Sequence, residues 1–178
     1  MTYLFEKVAE FNEKTGLSQE APKYGSNEYW GYLEERVKVV LEEVEELKEA
    51  IANRDLLEVL DGAADIIYST ASFADLSGCD IESAVDDVAL NNSLKYYSYK
   101  DNPIHREMFE LTDISAGWYL GKYGQPPEVY CYNDNIFRDS VYYCLRNKEE
   151  DGSWGKVNKP MDFPKVDLNM YLPRKEEE

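Results

Sequence analysis

"LEEVEELKEAIANRDLLEVLDGAADIIYST", residues 41–70, sets a dense series of carboxylates beside leucines, valines and isoleucines at core spacing. Carboxylates lose hydration when buried and repel one another, so their place beside a core needs a reason. The apolar period divides the stretch into two helices. Leu33, Val37, Val40, Val44, Leu47 and Ile51 form one stripe, which predicts a helix over about 28–52. "NRD" at 53–55 interrupts it, and Asn53 or Asp55 can cap the next helix. That helix is expected to run to about Leu76, with Leu57, Leu60, Ala64, Ile67 and Ala71 on its inner face. The short connection predicts antiparallel packing.

Glu43 and Glu46 are three apart, and Glu42 and Glu46 four apart, so all lie on neighbouring positions of one helix face. On the next helix Glu58, Asp61 and Asp65 form a second column. Antiparallel packing can turn the two columns toward each other. Acids on a helix are ordinarily a solvated face. That reading suits Glu45 and Glu49, and Lys48 offers local pairing. It suits Asp61 and Asp65 less well, because aspartate is a weak helix former and both sit within the apolar run "VLDGAADIIY". Gly62, Ala63 and Ala64 between them permit close helix approach. A cation between the columns would remove the repulsion. Oxygen-only donors favour a hard ion, Mg2+ first and Mn2+ as its substitute. Zinc is disfavoured, since the one histidine, His105, is remote in sequence.

Working outward, Leu4, Val8 and Phe11 share a face of a predicted helix over 3–15, closed by Gly16. "LSQEAPKYGSNEYW" at 17–30 reads as a loop. "SGCD" at 77–80 reads as a turn, with Asp80 capping a helix over about 81–95. Beyond it tyrosine becomes frequent and the helical period weakens. "EVYCYNDNIFRDSVYYCLR", 128–146, reads as two strands joined by a polar turn. The glycine-, proline- and charge-rich stretch from 149 onward is expected to be coil.

The formal net charge is -17. Neither free nucleic acid nor an anionic membrane surface suits such a chain, because both call for basic patches. Cys79, Cys131 and Cys144 are odd in number with no close pair, which argues against a disulfide framework or a zinc knuckle. The opening "MTYLFEKVAEFNEK" is charged within its first turns, unlike a secretory signal, and no apolar run has membrane-spanning length. A cytoplasmic protein is expected.

The acids also carry a resemblance. "EEVEE" at 42–46 followed by "EVLD" at 58–61 resembles the EExxE and ExxD motifs of the MazG-like all-alpha nucleoside triphosphate pyrophosphohydrolases, in the form found in phage and bacterial members. "DGAADIIY" is similar to the continuation of that family's metal-binding helix. "VALNNSLK" at 88–95 resembles its Asn-then-Lys segment. "DGSWGKVNKPMDFPKVDL" at 151–168 resembles its "DGKVxKP…PDL" tail, with Ser153 and Trp154 as extra residues. "FEKVAEFNEKTG" at 5–16 fits the opening, so the likeness spans nearly the whole chain.

The resemblance implies a mainly α fold, a helical bundle with a small C-terminal β-hairpin and coil extension. A catalytic domain over 1–100 and an extension over 101–178 are expected. Glu43, Glu46, Glu58 and Asp61 match the family's metal-ligand positions, and Asp65 sits where many members keep a further acid. Glu42 belongs to the motif as a ligand or a support. Glu42 and Glu46 are the carboxylates expected to act on the attacking water. Lys95, with Asn91 or Asn92, matches the phosphate-contacting segment. The implied reaction is Mg2+-dependent cleavage of a (d)NTP to (d)NMP and pyrophosphate, by a homo-oligomer, dimer or tetramer.

Two other readings compete. One is a non-enzymatic acidic interaction protein, a DNA mimic, which the net charge permits but paired helix columns do not require. The other is a nucleotide- or metal-binding module without turnover. Among remaining residues, Tyr29, Trp30 and Phe11 read as core or interface aromatics rather than base-stacking groups. Arg36 reads as a partner for nearby acids, and His105 as a non-catalytic residue.

Overall fold

The computed structural model describes residues 2–98, 113–134, 140–161 and 163–173. Its elements, in chain order, are α1 (Thr2–Lys14), α2 (Leu17–Glu20), α3 (Asn27–Asn53), α4 (Leu56–Leu76), α5 (Ile81–Ser93), β1 (Tyr96–Ser98), α6 (Asp113–Tyr123), β2 (Glu128–Asp134), β3 (Ser140–Lys148) and β4 (Trp154–Val157). A short 3-10 turn at Asn169–Tyr171 follows. The fold is mainly helical with a small antiparallel sheet. Two compact units divide it, residues 1–86 with 167–178, and residues 87–166. The expected boundary was residue 100.

In the first unit, α3 and α4 form an antiparallel pair. Tyr29 near the start of α3 donates its hydroxyl to the Ser77 carbonyl just past α4, at 2.7 Å. Leu47, late in α3, meets Gly62, early in α4. The turn between them is set by local chemistry. Arg54 takes the left-handed conformation, φ 59°, and closes α3 by donating its backbone N–H to Ala50 and Ile51. Asp55, of the two candidate caps, accepts from the backbone N–H groups of Leu57 and Glu58 at 3.1 and 3.3 Å. These bonds satisfy donors that a helix start leaves open. Asp80 likewise accepts from Ser83 at the start of α5.

Val8, Tyr29, Leu33, Ala50, Ala71, Ala74 and Leu76 are buried in this unit. Asn12 on α1 is fully enclosed, and its polar groups are answered from α4: it donates to Asp75 at 2.7 Å and accepts from Ser72 at 2.8 Å. This fixes α1 against α4 by hydrogen bonding as well as by Val8.

The inner face expected for α4 is corrected. Leu57 is 73% exposed, Leu60 68% and Ile67 59%, and Ala64 is exposed too. Only Ala71 of that set is buried. The face turned to α3 instead carries Gly62 and Ser69. The reason is steric: at Gly62 a Cβ would already stand 3.3 Å from Leu47, so small residues rather than leucines occupy the contact. Ile51 at the end of the α3 stripe is also exposed, as is much of Phe11.

In the second unit, β3 pairs antiparallel with β1, β2 and β4. β2 and β3 are the expected hairpin, with Val129 opposite Leu145 and Tyr130 opposite Cys144. Its turn, 135–139, lies outside the described residues. Tyr119 of α6 and Leu145 of β3 form a buried cluster covered by Trp118, Tyr123 and Tyr143. The coil expected after 149 is partly replaced by β4. Glycines at 152 and 155 masked the strand signal, and pairing to β3 supplies what local propensity lacks. Strand β1 and helix α2 were not expected either.

Candidate active site

The antiparallel pair determines which acids meet. Glu46 and Glu49 of α3 and Glu58, Asp61 and Asp65 of α4 line one cavity of about 240 Å3, with Asn53, Asp55 and Gly62 completing the wall. Asp65 also lines a second cavity, of about 270 Å3, together with Glu43. Glu43 shows the electrostatics most directly. Its carboxyl is pushed above the usual range, first by burial and then by the charges of Asp65, Glu46, Glu42 and Asp61. Two of those acids lie on its own helix and two on the facing one. Glu43 thus feels both columns at once, as expected for like charges brought together.

Among the described residues, no three Asp, Glu, His or Cys side chains stand closely enough to hold a metal ion as they are placed. The acids share a cavity but are spread around it. The donor set itself is oxygen only, which suits a hard cation with open coordination positions. Glu45 stays on the outer face, where Lys48 pairs with it at 2.7 Å. The solvated-face reading of Glu45 therefore accounts for its position.

Asn91, Asn92 and Lys95 belong to the second unit. The Asn91 side chain donates to the Pro164 carbonyl at 3.0 Å. Asn92 makes no side-chain hydrogen bond, and Lys95 no ion pair, among the described residues. His105 lies outside the described residues.

Arg36 was expected to pair with nearby acids. Arg36 forms no ion pair among the described residues. It places its guanidinium over the Tyr32 ring, 5.3 Å from the centroid. Trp30 is largely exposed, whereas Tyr29 is buried and hydrogen-bonded. Phe11, with Tyr68, Phe73 and Arg36, lines the cavity that also borders Glu43 and Asp65. Sequence reasoning missed this grouping because its members come from three helices with no shared local spacing.

Residues 8–92 match the family model described as phosphoribosyl-ATP pyrophosphohydrolase. No curated protein and no solved structure matches the chain.

Proposed function

Because residues 8–92 form a domain of the MazG-like all-alpha nucleoside triphosphate pyrophosphohydrolase superfamily, we propose that the chain hydrolyses a (d)NTP to (d)NMP and pyrophosphate. The observation that supports this best is the gathering of Glu46, Glu58, Asp61 and Asp65 on one cavity beside Glu43, whose carboxyl is raised first by burial and then by acids of both α3 and α4. A stable fold retains such a like-charge site when a cation is to be held there. Glu43, Glu46, Glu58, Asp61 and Asp65 are the proposed ligands, and Mg2+ the proposed ion, with Mn2+ as substitute. When bound, such an ion polarises phosphoryl oxygens and screens the charge of the polyphosphate.

The rest falls to the chain. A Glu46 or Glu42 carboxylate accepts a proton from the attacking water at its own oxygen. The water oxygen bonds to the alpha phosphorus, the anhydride bond to the beta phosphate breaks, and pyrophosphate leaves. Lys95 offers a point charge to the phosphates. Asn92, whose amide makes no hydrogen bond among the described residues, is better suited than Asn91 to donate a hydrogen bond.

A homo-oligomer is part of the same reading. Leu57, Leu60 and Ile67 present an apolar face on α4 that no described residue of its own unit covers. A second copy would cover it, giving a dimer or tetramer. No helix among the described residues is long and apolar enough to cross a membrane.

The test is a panel of NTPs, dNTPs and phosphoribosyl-ATP with and without Mg2+, scored for monophosphate and pyrophosphate. Asp61→Asn should keep the fold and lower kcat/KM by at least about a hundredfold, since even residues that merely support a ligand account for ten- to a hundredfold. Release of orthophosphate alone, or turnover indifferent to Mg2+, would sink the reading.

A further inference from the structure

The contact between α3 and α4 fixes which of their acids stand level. Leu47 meets Gly62, and in an antiparallel pair each step forward on α3 is matched by a step back on α4. Position 49 therefore stands level with Leu60, between Glu58 and Asp61. Position 42 stands level with Ile67, beyond Asp65. The cavity walls agree. Glu46 and Glu49 line the acid cavity with Glu58, Asp61 and Asp65, whereas Glu42 lines neither that cavity nor the one beside Glu43. Glu42 and Glu49 share a face of α3, about two turns apart, and the register brings only the second of them to the acids of α4.

The carboxylates on the wall of the acid cavity belong to Glu46, Glu49, Asp55, Glu58, Asp61 and Asp65. All but one have a task. Glu46, Glu58, Asp61 and Asp65 are proposed ligands, and an oxygen whose lone pair is given to a cation is a poor proton acceptor. Asp55 commits its Oδ1 to the backbone N–H groups of Leu57 and Glu58. Glu49 has neither duty. Its side chain makes no hydrogen bond or ion pair among the described residues, and the neighbouring Lys48 ammonium is held by Glu45 at 2.7 and 2.9 Å. Glu49 is also exposed, so water reaches it.

We propose that Glu49 is the general base of the hydrolysis. The inference rests on the hydrolase reading and deepens it: the proton-accepting role moves from Glu42 or Glu46, where the motif sets it, to a carboxylate one turn beyond Glu46. One proton of the attacking water passes to a Glu49 carboxylate oxygen as the water oxygen bonds to the alpha phosphorus. The bond from that phosphorus to the bridging oxygen breaks, and pyrophosphate leaves with the bridging oxygen and its electron pair. Glu46 remains a ligand. A base distinct from the ligands keeps its lone pair for the proton while the ligands screen the charge of the polyphosphate through the ion they hold.

The experiment measures kcat and KM on the best nucleotide of the panel, and Mg2+ affinity by calorimetry without nucleotide, in wild type, Glu49→Gln and Glu45→Gln. Glu49→Gln should lower kcat by about a hundred- to ten-thousandfold, the share of a general base, with KM and Mg2+ affinity unchanged. Glu45→Gln removes the same charge from the outer face, where Lys48 pairs with it, and should keep the wild-type kcat. In Glu49→Ala, added formate should restore part of kcat by taking the place of the missing carboxylate. A wild-type kcat in Glu49→Gln overturns the inference and leaves the hydrolase reading standing. So does a loss of kcat that comes with weaker Mg2+ binding, the mark of a ligand, or an equal loss in Glu45→Gln, the mark of overall charge. A wild type that hydrolyses no nucleotide of the panel ends both.

Discussion

Gly62 of α4 lies so close to Leu47 of α3 that a Cβ at position 62 would stand 3.3 Å from the leucine Cα and Cβ. Both neighbours of this contact matter. Glu46 precedes Leu47 and Asp61 precedes Gly62, so the tightest point of the helix pair lies beside the acid cavity.

Gly62→Val should therefore reduce stability and function together. Overpacking against backbone destabilises by about 1–3 kcal/mol, because the α3 main chain cannot swing aside as a flexible side chain can. Gly62→Ala should do less. Its contact is milder, and alanine regains about 0.5–1 kcal/mol of helix preference. Urea midpoints rank the variants. Activity in Gly62→Val should fall by about a hundredfold, the effect of an ångström-scale misplacement. Equal midpoints for valine and wild type would show that the helices yield freely.

Leu60→Glu should break the proposed oligomer. Leu60 is 68% exposed in its own unit, so a charge there leaves the isolated chain almost unperturbed. Buried against a second copy, the same charge would be strongly unfavourable. Sedimentation should show wild-type dimers or tetramers at micromolar concentration and a monomeric variant. A monomeric wild type would count against the interface.

Tyr119 gives the second unit an alkaline limit. Burial, followed by Tyr123, pushes its hydroxyl from 10.0 up to about 12. The folded state thus holds the proton more tightly than the unfolded chain. The linked stability is complete below pH 10 and is lost as pH rises through about 12. Tyr119 also donates to the Lys159 carbonyl at 3.0 Å. Tyr119→Phe should be less stable at pH 8 by about 0.5–1.5 kcal/mol and lack this alkaline decline. Denaturation curves at pH 8 to 12 should show the gap to wild type narrowing. A constant gap would contradict the linkage.

Lys95→Ala should lower kcat/KM by about ten- to a hundredfold, as for a lost hydrogen bond to a charged group, roughly 1.5–3 kcal/mol. Lys95 forms no ion pair among the described residues, so its removal should leave Mg2+ affinity unchanged by calorimetry. An unaltered kcat/KM would pass the phosphate role to Lys156 or Lys159.

Much of the architecture was legible because it is local. The α3 and α4 periods, the Asp55 and Asp80 caps and the β2–β3 hairpin each depend on residues a few positions apart. Strand β4 was not legible, because Trp154–Val157 becomes a strand only by pairing with β3. The acids followed the same division. Their spacing placed Glu58, Asp61 and Asp65 along one side of α4.

The sequence by itself determined that two helices carry acids in columns, since helix geometry maps i, i+3 and i, i+4 positions to one face. It misassigned the buried side of α4. Periodicity identifies an apolar stripe but not what covers it, and Leu57, Leu60 and Ile67 face outward within their unit. Only the tertiary structure decided that the glycine at 62 meets α3, that Glu43 feels acids from both helices, and that Arg36 shares a cavity with Phe11, Tyr68 and Phe73. Each is a contact between residues distant along the chain. Packing fixes such contacts through the volume left at close approach, which local spacing does not encode.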